Sequence, residues 1–159
     1  MDLKVQSSAF SNHEPIPKKF TGDGADVSPA LTWSGAPAGT KAFALICDDP
    51  DAPSAEPWVH WVIYNISGDA AGLAEDVPNK QAALADPAGA KQGRNSFGKV
   101  GYGGPAPPKG HGVHHYHFKV YALGAALELS DPVDKNHLLH AMQGHVLAQG
   151  ELVGTYERK

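Results

Sequence analysis

Apolar residues along this chain gather in short runs cut by proline and glycine, which predicts strands joined by turns in place of long helices. Ala30–Trp33 and Phe43–Cys47 are two such runs. Trp58–Ile66 is longer, rich in β-branched and aromatic residues and almost uniformly apolar, the pattern of a central strand covered on both faces. His117–Leu123 alternates apolar with mixed positions, so it should bury one face. Glu151–Tyr156 is the last strand candidate. One convincing helix comes late. Asp134 can cap it, and Leu138, Leu139, Met142, Val146 and Leu147 recur at helical spacing up to Gln149-Gly150. The Ala- and Gly-rich stretch from Gly68 to Gly93 reads as a loop with room for one short helix. Strands in succession with no βαβ alternation indicate a mainly β, mainly antiparallel fold with one or two short helices.

A length of 159 residues suits one domain, taken as 1–159, and 42% apolar content is enough for a core. The formal net charge is −4 and the 13 Lys and Arg are scattered, which argues against nucleic acid as a partner. Cys47 is the only cysteine, so no intramolecular disulfide can form; within its apolar run it reads as a buried structural thiol. The N-terminus lacks the basic and apolar regions of a leader, and no apolar stretch approaches the roughly 20 residues that span a bilayer. A cytoplasmic protein without a stable membrane anchor is expected. Asn65-Ile66-Ser67, at the end of a strand candidate, reads as a chance glycosylation sequon.

Three segments carry candidate chemistry. Asp48-Asp49-Pro50-Asp51-Ala52-Pro53 follows a buried strand, and each proline stiffens the turn that aims the carboxylates. His60 lies in an apolar run between Trp58 and Trp61; buried there, it needs a hydrogen-bond partner, for which a carboxylate is the natural candidate. The third segment is the Gly- and Pro-rich stretch from Gly101 to Val113, running into His114-His115-Tyr116-His117-Phe118. If that strand begins by His114, then His114, Tyr116, Phe118 and Val120 share the inward face. His115, His117 and Lys119 take the other, solvated face, and His111 falls on the loop with no face assigned. Asp49, Asp51, His60, His114 and Tyr116 then admit two readings. In one, His60, His114 and an Asp bind Zn²⁺ or Fe²⁺. In the other, the carboxylates orient the histidines, and His N–H, Tyr116 and loop amides donate to a phosphate or carboxylate.

These segments, with Ser28–Trp33, Tyr102–Gly110, Gly144-His145 and Gly154-Thr155-Tyr156, closely resemble the phosphatidylethanolamine-binding protein family, specifically its bacterial Raf-kinase-inhibitor-like branch. The likeness runs over nearly the whole chain. It implies two antiparallel sheets with a small pocket at one end for phosphate-type head groups, nucleotides or simple anions, with no metal or other cofactor. Asp49, Asp51 and His60 would form one wall and His114 and Tyr116 the other, with Ala52, Pro53, Ala106, Pro107 and Pro108 as the rim. Family members commonly carry Arg where this chain has His115. The resemblance further implies a homodimer, and a protein partner through regulation or protease inhibition. Small-anion binding is the expected function. The alternative is an acid/base or metal-dependent enzyme using the same Asp/His pocket, which lacks an evident activated nucleophile.

Overall fold

The computed structural model describes residues 2–130 and 133–159. Over them run nine strands: β1 (Lys4–Gln6), β2 (Glu14–Pro15), β3 (Leu31–Ser34), β4 (Ala42–Asp49), β5 (Trp58–Ser67), β6 (Gly72–Leu73), β7 (Lys91–Gln92), β8 (His114–Leu123) and β9 (Val146–Tyr156). A 3-10 turn at Lys18–Phe20 and a helix, α1 (Lys135–Met142), complete the elements. The large sheet has the order β2-β9-β8-β4-β5-β7, antiparallel except for the short β2–β9 pairing; the small sheet has the order β1-β3-β6. This is the mainly β architecture that the turn-punctuated apolar runs imply, in the two sheets that the family resemblance implies.

The near-continuous apolar sequence of β4 follows from its position. Phe43, Leu45 and Cys47 pack into one core cluster with Trp33, Phe10, Phe20 and Phe118. Ala44 and Ile46 pack into another with Tyr64, Leu138 and Met142 of α1. Alternate residues thus meet different covers, and no polar face remains. Cys47 is buried in the first cluster, where burial pushes its thiol well above the usual range.

Two expectations are corrected here. The helix stops at Met142, although the apolar spacing continued through Val146 and Leu147. Asp134 does cap it, its carboxylate accepting the His137 amide at 2.9 Å. Beyond it Gly144 turns into the left-handed region (φ 83°), and Val146 opens β9 opposite Leu123. Val146 and Leu147 are each 41% exposed, so no buried helical stripe existed for them to extend. The Gly68–Gly93 segment holds no helix; it supplies β6 and β7, one to each sheet. No helix among the described residues is long and apolar enough to cross a membrane.

Candidate functional site

The C-terminal end of β4 meets the N-terminal ends of β5 and β8 at one end of the large sheet, and each strand delivers part of a cavity there. Along β4, Asp48 and Asp49 point to opposite faces. Asp48 pairs with Lys135 Nζ of α1 at 2.7 Å, whereas Asp49 lines the cavity. On β8 the burial pattern alternates from His114 onward, with His114, Tyr116, Phe118 and Val120 inward, as strand parity predicts.

His60 reaches the same face by a different device. Cys47 pairs with Trp61 and Asp48 with Val59, so His60 is the extra residue of a β-bulge in β5. By simple alternation it would face away from Trp61, toward the helix side. The bulge re-aims it into the cavity, where its ring stands edge-on to Tyr116 at 5.1 Å and to Phe97 at 5.5 Å.

The cavity encloses about 200 Å³ and is lined by Asp49, His60, His114 and Tyr116, with Trp58 and Phe97 as aromatic wall. Ala52, Pro53, Ala106, Pro107 and Pro108 line it as well. That volume lies below the roughly 300–1,000 Å³ of drug-sized ligand sites, so it suits a small group. Among the described residues no Lys or Arg lines it.

Its polar groups are tightly oriented. His60 is 3% exposed and its Nδ1–H donates to the Gly103 carbonyl at 2.6 Å, which leaves Nε2 as the nitrogen available to a ligand. The partner is a backbone carbonyl, not the carboxylate expected from sequence. Burial holds the His60 pKa below the ordinary histidine range, against the opposing pull of the Gly103 carbonyl and the Asp49 charge. Burial likewise raises the Tyr116 hydroxyl, so it stays protonated and able to donate; it donates to no described residue. Asp49, 2% exposed, commits both oxygens: Oδ1 accepts the Asp51 amide at 2.8 Å and Oδ2 accepts His114 Nδ1–H at 2.6 Å.

Of the expected residues, only Asp51 stands apart. Its Oδ2 accepts from the His115 amide and from His115 Nδ1, each at 2.8 Å, on the exposed side of β8. Burial works to raise its pKa, but these hydrogen bonds outweigh it and hold the carboxyl below the usual range. Its carboxylate thus ties the loop to β8 and does not line the cavity. Residues not singled out from sequence also matter. Phe97 forms the aromatic wall with Trp58, and His111, left without a face by the sequence, has its Nδ1 2.6 Å from His114 Nε2. The signal for His111 was present in its spacing, three residues before His114, between two glycines of positive φ, Gly110 and Gly112. Among the described residues no three or more His, Cys, Asp or Glu side chains converge as a metal cluster.

The two-sheet fold and the small cavity of two histidines, a tyrosine and a committed aspartate define a β protein with a built polar pocket at one sheet end. The sequence profile described as phosphatidylethanolamine-binding protein matches residues 6–157. UPF0098 protein PH1269 of Pyrococcus horikoshii is 49% identical over 159 residues, spanning 100% of this chain and 78% of that protein. A UPF0098 protein of Methanothermobacter thermautotrophicus is 46% identical over 156 residues, 98% of this chain and 99% of its own. The crystal structure of Escherichia coli YbcL, a member of the mammalian PEBP family, matches with a TM-score of 0.92 at 36% identity over 100% of both chains. The chain belongs to the phosphatidylethanolamine-binding protein family.

Proposed function

We propose that this protein binds small phosphate-type anions in the cavity formed by Asp49, His60, His114 and Tyr116. The observation that carries the reading is the convergence of two buried imidazoles and an unpartnered phenol on one small space, beside an aspartate whose oxygens are both occupied. Such a site can offer N–H and O–H groups to an oxyanion with little repulsion from the carboxylate. His60 Nε2 serves either as imidazolium donor or as acceptor of a proton the phosphate carries. Either way one proton sits between ligand and ring.

His114 already contacts His111 at Nε2, so an anion that takes this nitrogen displaces the His111 ring. Ala and Pro side chains give the cavity an apolar border, and its limited volume suits a head group better than an acyl chain.

A thermal-shift series with inorganic phosphate and phosphoethanolamine tests the reading. A ligand at 100 times its Kd should stabilise the fold by about 2.7 kcal/mol. His114→Ala should weaken binding by about 1.5–3 kcal/mol, the range for hydrogen bonds to charged groups, and His60→Ala should act in the same direction. His115→Ala should change binding little. Absence of any shift, or equal losses at His114 and His115, would refute the site.

A further inference from the structure

A second cavity of about 220 Å³ adjoins the first, and Phe97 and Ala106 line both. Its charge is of the other kind. Lys80 and Lys99 line it, and neither is ion-paired to a described residue. Lys19, Lys119 and Lys135 each pair with a carboxylate. One carboxylate, Asp26, also lines this cavity, but its Oδ1 accepts the Gly104 amide at 2.7 Å. Among the described residues, two cations without an ion-pair partner beside a pocket without Lys or Arg, in a chain of net charge −4, are a local reversal of sign.

The two cavities are also built as one unit. Asn95, 7% exposed, accepts the Phe97 amide at 3.0 Å and the Lys99 amide at 3.2 Å on the same Oδ1. One buried side chain therefore sets both the ring between the cavities and the lysine beyond it. The Lys80 amide donates to the Val100 carbonyl at 3.1 Å, which ties the two lysine-bearing segments together. Gly103, whose carbonyl orients His60 in the first cavity, lines the second. A Cβ at Gly103 would meet Phe97 Cδ2 at 2.8 Å, so the wall is closely fitted.

We infer that the paired cavities form one bipartite site for a small molecule carrying two anionic groups on a short polar stem. The inference rests on the anion reading of the first pocket. A phosphoryl group sits on His60, His114 and Tyr116, the stem crosses the face of Phe97, and a second phosphate or carboxylate lies at Lys80 and Lys99.

Isothermal titration of the whole chain, at fixed pH and ionic strength, tests this with inorganic phosphate, 3-phosphoglycerate, fructose 6-phosphate and fructose 1,6-bisphosphate. The bisphosphate should bind about five- to ten-fold more tightly than the monophosphate, the worth of two exposed ion pairs. Lys80→Ala with Lys99→Ala should cut that preference to the roughly two-fold statistical advantage of two phosphates, and leave inorganic phosphate within about two-fold. No preference for either two-anion ligand in the unaltered protein overturns the bipartite site, as does an equal loss for all four ligands in the lysine variant. Failure of the first-pocket reading looks different: inorganic phosphate would not bind, or would bind equally well after His60→Ala and His114→Ala.

Discussion

His114 is engaged at both ring nitrogens, by Asp49 at Nδ1 and His111 at Nε2, each at 2.6 Å. The Asp49 contact is buried and preorganised, so it fixes which nitrogen points outward. The His111 contact comes from an exposed loop residue flanked by glycines that hold φ at 74° and 93°, and it is the replaceable one. An anion arriving at Nε2 competes with it. His111→Ala should therefore tighten phosphate binding by about 0.5–1.5 kcal/mol, the net worth of one hydrogen bond. Titration calorimetry would show this as a two- to ten-fold lower Kd. A weaker Kd would mean that His111 stays in place and contributes to the bound state. Asp49→Asn should act the other way, because an amide whose oxygen accepts the Asp51 N–H turns its NH2 donor toward His114 Nδ1 and removes the acceptor that fixes the ring.

At the scale of elements, β4 carries opposite duties on its two faces, and the helix side rests on a charge. Asp48 is 1% exposed and lies 2.7 Å from Lys135 Nζ and 3.4 Å from Lys119 Nζ. The pair pins α1 to the sheet beside Leu138 and Met142. Lys135→Met should destabilise the protein by about 2–3 kcal/mol, under the ~3–5 of a fully stranded buried charge because Lys119 remains. The double variant Lys135→Met, Asp48→Asn should recover much of that. Urea midpoints of the three proteins check both statements, and a single-variant loss below about 0.5 kcal/mol would reduce the contact to an ordinary surface pair. Much of this layout was legible in sequence. The apolar run of β5 announced a strand covered on both faces, that of β4 a buried strand, and alternation in β8 placed His114 and Tyr116 inward. What was not legible depended on registers between strands. The bulge at His60 exists only against β4, the Asp51–His115 pairing only against β8, and Val146 and Leu147 are strand because β8 offers them a ladder. β1, β2, β6 and β7 span two or three residues each, too short for any periodicity to reveal.

For the whole molecule, the pocket trades stability for a proton-sensitive site. The folded His60 has a pKa below its unfolded value because burial disfavours the imidazolium. Between the folded value and the unfolded value of about 6.5, the unfolded chain binds more protons than the native one. Stability attributable to His60 is thus fully present above about pH 6.5 and is lost as pH falls through the folded pKa. A difference isolates the contribution: His60→Phe should flatten the decline in urea midpoint below about pH 6.5 relative to the unaltered protein. An anion beside His60 favours the charged ring and reverses the sign of this coupling. Sulfate is the informative probe, since it carries no titrating proton of its own in this range. Its affinity should rise as pH falls, approaching ten-fold per pH unit above the folded His60 pKa and levelling below it, where one proton is no longer taken up on binding. The same titration in two buffers of different ionisation enthalpy should reveal that proton directly. A pH-independent sulfate affinity would mean that the ring never charges. Tyr116 and His114 would then hold the anion alone, with His60 serving to wall the cavity.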